Sequence, residues 1–126
     1  NQSGNKLVKI ARSWNNPPEI ILNNSDYKSL GYDYKQRAFV LKAENQGNNL
    51  DLIFNASEES PLFNPAFVIQ NWDGSDLKLI IDNEEIPRGK DFRYGMEYDV
   101  EGNISLIIWI KKTITSKTNI LLMPIK

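Results

Sequence analysis

Apolar and polar residues fall mostly in short alternating runs. From Arg37 onward these runs are rich in β-branched and aromatic residues and are bounded by Asn, Asp, Gly or Pro, the pattern of half-buried β-strands. Before that point the signal is less regular. Leu7, Val8, Ile10 and Ala11 alternate imperfectly and predict a strand over Lys6 to Arg12. Asn15-Asn16-Pro17-Pro18 then breaks regular structure, because proline lacks a donor and holds its predecessor extended. Glu19 to Leu22 resumes as a short strand. Asn23 to Tyr34 is polar and carries three tyrosines and several turn formers, which predicts a long loop or edge excursion. Arg37 to Ala43 and Leu50 to Ala56 flank Gln46-Gly47-Asn48-Asn49 and together predict a hairpin. Phe67 to Asn71 is the next strand. The turn Asp73-Gly74-Ser75-Asp76 leads to Leu77 to Asp82, which pairs either with the preceding strand or with Glu85 to Pro87. Phe92 to Tyr94 and Glu97 to Val100 flank Gly95-Met96, Ile104 to Lys111 is the strongest strand signal, and Thr118 to Ile125 closes the chain.

About nine strands separated by turn signals predict an all-β fold, an antiparallel β-sandwich of jelly-roll or immunoglobulin-like type, as a single domain over residues 1–126. The best helix candidate, Ser57 to Leu62, is too short for more than a turn. Alternation assigns Phe39, Leu41, Leu52, Phe54, Phe67 and Ile69 to the core, followed by Leu79, Ile81, Leu106, Ile108, Leu121 and Met123. Ile53, Val68, Ile80, Ile107 and Trp109 are then surplus apolar side chains, some of them suited to a docking face.

Composition narrows the chemistry. A chain of 126 residues, 40% apolar and 25% charged, buries roughly two-thirds of its unfolded surface and needs neither metal nor disulfide to fold. The net charge of −1 argues against a general electrostatic hold on nucleic acid or anionic membrane. Histidine and cysteine are both absent, which removes Ser-His and Cys-His dyads, thiolate zinc sites and imidazole metal centres. No apolar run approaches the roughly 20 residues of a membrane helix. The polar start at Asn1 reads as that of an excised domain or mature form.

Paired acids are the general acid/base device still open to such a chain. Glu58-Glu59 and Glu84-Glu85 are adjacent residues in turn-like contexts, where carboxylates face water, and they receive no catalytic role. The oxygens of Asp73-Gly74-Ser75-Asp76 suit calcium, but an Asp-Gly turn explains the same residues and the distal glutamate of a full calcium loop is missing. Arg88, Lys90 and Arg93 surround Gly89 with Phe92 and Tyr94 interleaved. That cluster is too small for nucleic acid, yet arginine forks suit the carboxylate or sulfate groups of an acidic polysaccharide. The aromatics Trp14, Tyr32, Tyr34 and Trp72 lie in predicted loops or at a strand–turn junction, where flat rings stack on sugar faces. Their structural alternative is that Trp14 and Trp72 seal the ends of the sandwich and Trp109 packs at an interface. Asn-x-Ser/Thr sequons at Asn1, Asn23, Asn55 and Asn103 are expected by chance in an Asn-rich chain.

The segments ARSWNNPPEI, RAFVL, ASEESPLFNPAFVIQNW and PRGKDFRYGMEYDVEGNISLIIWI resemble β-sandwich accessory domains of large secreted polysaccharide-degrading enzymes of gut and environmental bacteria. The likeness lies in the order of residue types and in the Asn, Pro and Trp punctuation. It implies a secreted or cell-envelope protein whose reactive site lies in a neighbouring domain of the same polypeptide. The leading expectation is therefore a non-catalytic module without cofactor or metal, supporting a catalytic domain and holding glycan through Trp14, Tyr32, Tyr34, Trp72, Arg88 and Arg93. A structural or protein-interaction sandwich of an envelope protein is the alternative. A third reading, a lyase using Tyr34 with Lys35 and Arg37, requires a tyrosine whose pKa is pulled far below 10.

Overall fold

A computed structural model describes residues 19–59 and 61–125. The predicted strand over Lys6 to Arg12 and the Trp14 site lie outside the described residues. Within them the fold is all-β. The strands are β1 (Glu19–Leu22), β2 (Tyr27–Asp33), β3 (Ala38–Ala43), β4 (Leu50–Asn55), β5 (Leu62–Phe63), β6 (Ala66–Gln70), β7 (Asp76–Ile81), β8 (Glu84–Ile86), β9 (Phe92–Tyr98), β10 (Ile104–Ile110), β11 (Thr113–Ile114) and β12 (Thr118–Ile125). This exceeds the expected number because Tyr27–Asp33, predicted as loop, is a strand, and because β5 and β11 form a two-residue pair too short to carry a periodic signal. No helix among the described residues is long and apolar enough to cross a membrane.

Two five-stranded sheets, ordered β1-β4-β12-β7-β8 and β2-β3-β6-β10-β9, pack face to face through one apolar cluster. Phe54 of the first sheet meets Phe39 and Phe67 of the second, with ring centroids 5.3 and 5.5 Å away. Alternation drives this arrangement: Leu50, Leu52 and Phe54 face inward while Asp51, Ile53 and Asn55 do not.

The predicted hairpin between Arg37–Ala43 and Leu50–Ala56 does not form. β3 pairs with β2 and β6, whereas β4 pairs with β1 and β12 in the opposite sheet. Because the chain crosses to the first sheet and back before reaching β6, β3 and β6 run parallel, while the other strand pairs are antiparallel. β7 chooses the second of its two expected partners, β8. The turn is Asp82-Asn83, with φ of 47° and 69°, the left-handed pair that matches the twist of a two-residue hairpin. Gly95-Met96 is no break, since β9 runs unbroken from Phe92 to Tyr98.

Ten of the twelve expected core positions are buried, Phe39 through Ile108. In β12 the parity is reversed, with Ile120 and Leu122 buried and Leu121 and Met123 turned toward the outer face. Asn119 fixes this register: its side-chain amide, on the outer face, donates to Asp51 Oδ1 at 2.9 Å and to the Leu52 carbonyl at 3.2 Å. A slip of one residue would carry that amide into the core.

Candidate functional site

Those expected glycan-binding residues that are described do not converge. Trp72 is only 2% exposed, and its Nε1 donates to the Ser75 carbonyl at 2.8 Å. The ring therefore has no free face for stacking and closes the end of the sandwich, which was the structural alternative. Tyr32 is half-buried against Phe39, and the exposed Tyr34 meets its edge, with centroids 4.9 and 5.1 Å apart. Arg88 lies over the Tyr94 ring, 3.9 Å from its centroid, and donates through Nη2 to the Tyr94 carbonyl at 3.2 Å. Tyr94 faces the core side of β9 and donates its hydroxyl to Asp76 Oδ1 at 2.9 Å. Arg93, one residue earlier, alternates to the outer face. The two arginines are thus on opposite sides of β9, and the basic cluster read from sequence is divided.

Three tyrosine phenols are perturbed by the fold. Burial, followed by the charges of Asp73 and Asp26, pushes the Tyr27 phenol up to about 12. Burial also raises Tyr32, and burial with the Asp76 hydrogen bond raises Tyr94. In the Asp73–Asp76 turn, Asp73 Oδ1 accepts the Ser75 amide at 3.0 Å and Asp76 accepts from Tyr94, so each carboxylate serves its own partner. No group of three or more acidic side chains placed to hold a metal occurs among the described residues.

What the fold does assemble is the outer face of β3, β6, β10 and β9. Register builds it in rows. Val40 lies beside Val68, Val68 beside Ile107, and Ile107 beside Gly95. One pleat away, Trp109 stands between Ala66 and Arg93. On the other side Ser105 stands between Gln70 and Glu97. Small neighbours leave room beside the indole. A depression of about 510 Å³ is lined by Ala38, Ala66, Val68, Ile107 and Trp109, with Gln70, Ser105 and Glu97 among its polar members. Trp109 is 49% exposed, the aromatic ring on this face with a surface open to a ligand. Its signal was present in sequence as the outward period Ser105, Ile107, Trp109, Lys111.

No protein-family model, curated protein or solved structure matches the chain.

Proposed function

We propose that this chain is a non-catalytic β-sandwich module of a carbohydrate-active multidomain protein of the cell envelope or exterior, and that it holds glycan on the outer face of β3, β6, β10 and β9. The observation that carries this reading is the half-exposed Trp109 ring, set beside the small residues Ala38 and Ala66 in a depression whose other end carries Gln70, Ser105 and Glu97. An indole face stacks on the C–H face of a pyranose ring, and amide, hydroxyl and carboxylate groups further along the depression meet the hydroxyls of neighbouring units. Among the described residues, Gln70, Ser105 and Glu97 have no side-chain hydrogen-bond partner. The likeness to accessory domains of polysaccharide-degrading enzymes supports the same class.

Affinity electrophoresis in gels containing individual polysaccharides tests the proposal. Retardation of the wild-type chain by at least one polysaccharide, lost in Trp109→Ala, is the expected result. Mobility unchanged in every gel, across neutral and acidic polymers, would refute glycan holding and favour a module that contacts only protein.

A further inference from the structure

The depression beside Trp109 does not stand alone. At one end it shares Gln70 and Ser105 with a second hollow of about 500 Å³ that reaches Lys42 and Asn103. At the other it shares Trp109 with a third hollow of about 270 Å³ lined by Lys90, Arg93 and Lys111. The three form one groove along β10. From Ser105 to Lys111 the strand advances about 20 Å, which is long enough for several units of an extended polymer and far longer than one sugar.

Charge along the groove is uneven. Arg93 is the register partner of Trp109, and Lys111 follows it on the same face of the strand by alternation. The Lys111 amide donates to the Asp91 carbonyl at 2.8 Å, tying the end of β10 to the start of β9 and bringing Lys90 alongside. Among the described residues, none of these three cations has an ion-pair partner, and Asp91 is the one acid lining that hollow. In a chain of net charge −1 this local surplus of cations sits against an exposed indole. Acids lie at the far end, Glu97 opposite Ser105 and Asp99 beside Asn103, so the surplus of cations is confined to the Trp109 end of the groove. The Asp99 carboxylate accepts the Glu101 and Asn103 amides, each at 2.9 Å, and so is occupied in ordering its own loop.

Resting on the proposal above, we infer that the groove selects an extended anionic polysaccharide, one bearing carboxylate or sulfate groups. A sugar ring stacks on Trp109, its anionic group meets Arg93, Lys90 and Lys111, and the chain continues over Ile107 and Val68 toward Gln70 and Ser105. Gly95 keeps the groove open beside Ile107. A Cβ built there meets nothing within 4 Å, so a larger residue fits the fold and fills the path of the ligand.

Isothermal titration of the full chain with polygalacturonate, alginate and chondroitin sulfate, against neutral β-glucan and single-stranded DNA, tests the inference. Expected are binding to at least one acidic polysaccharide, weakening as salt rises, and loss of about tenfold or more in Arg93→Ala, consistent with one charge-assisted contact. Gly95→Val abolishes binding without lowering the melting temperature. Binding of β-glucan with equal or greater affinity, insensitive to Arg93→Ala, would overturn the anionic preference while leaving glycan holding intact. DNA binding as tight as that of the polysaccharides would reassign the groove to polyanions at large. Absence of binding by any polysaccharide would overturn this inference and the function together, and a dimer in solution that dissociates in Trp109→Ala would assign the face to a second copy.

Discussion

Truncating Leu122 to alanine and comparing it with the same truncation of Leu121 tests the placement of the last strand, and with it the pairing that holds the first sheet together. Leu122 is fully buried between its register partners Leu50 on β4 and Leu79 on β7, themselves without exposed surface. Leu122→Ala therefore removes the transfer energy of the lost carbons and leaves a cavity between rigid neighbours, a cost of about 3–4 kcal/mol. Leu121 is partly buried on the outer face between Asp51 and Ile80. Its truncation leaves no enclosed void and costs about 1 kcal/mol or less. A domain of this size has a total stability of about 5–15 kcal/mol, so both variants fold and can be compared. With a urea slope of about 2 kcal/mol/M, the two unfolding midpoints differ by about 1 M or more, readable by circular dichroism. Equal midpoints, or a lower one for Leu121→Ala, would refute the register and restore the parity expected from sequence.

Trp72→Phe is expected to cost about 1–2 kcal/mol in urea unfolding, because it removes the indole donor from the Ser75 carbonyl, while leaving polysaccharide affinity unchanged. Tyr27 bonds the Asn48 carbonyl through its hydroxyl at 2.7 Å and has its phenol pushed up to about 12 in the fold. Its contribution is thus fully present below pH 10 and lost as pH rises from 10 through 12, and the Tyr27→Phe variant should show a flatter base-unfolding curve over that window. Asp99 is held below the usual carboxylate value chiefly by the Asn103 amide and side chain. Its stabilisation is therefore present above the ordinary carboxylate pKa and fades as pH falls below it; Asp99→Asn should reduce the acid sensitivity of amide exchange in residues 99–103. Gly95→Val should raise the melting temperature modestly, by an amount corresponding to at most about 1 kcal/mol, since a β-branched residue replaces glycine in an edge strand with open space around it.

Fold class was legible in the sequence because strand formation is signalled locally. Leu50, Leu52 and Phe54 alternate with Asp51 and Asn55 whatever they pair with. Pairing was not legible for β3 and β4, since the turn signals Gly47, Asn48 and Asn49 suit a loop between two sheets as well as a hairpin within one. For β7 the sequence left two partners open, and the two-residue Asp82-Asn83 turn, with both residues at positive φ, decides for β8. In β12 the residues Ile120, Leu121, Leu122 and Met123 are all apolar, so parity has no local marker. The register is supplied by Asn119 and by Asp51, which is far away in the sequence. Tyr27–Asp33 escaped recognition because its exposed residues and the bulge between Ser29 and Gly31 erase the alternation.

The candidate site was less legible than the fold for a related reason. Local reading favours aromatics in loops, where function concentrates, and so it selected Trp72 and Tyr34. Whether a ring has a working face depends on what surrounds it. Trp72 lies at a junction suited to binding, yet its indole is consumed by a carbonyl three residues away. Trp109 lies within a strand that reads as core, yet its ring is half exposed. Ala66, two strand positions from Val68, and Gly95, across from Ile107, are unremarkable where they occur in the sequence. Only register sets them beside the indole and turns a flat sheet into a groove. Arg93 takes its place from this register, whereas Arg88, between β8 and β9, packs on Tyr94. Stacking surface, depth and charge are therefore contributed by separate strands, and the site comes into being with the sheet.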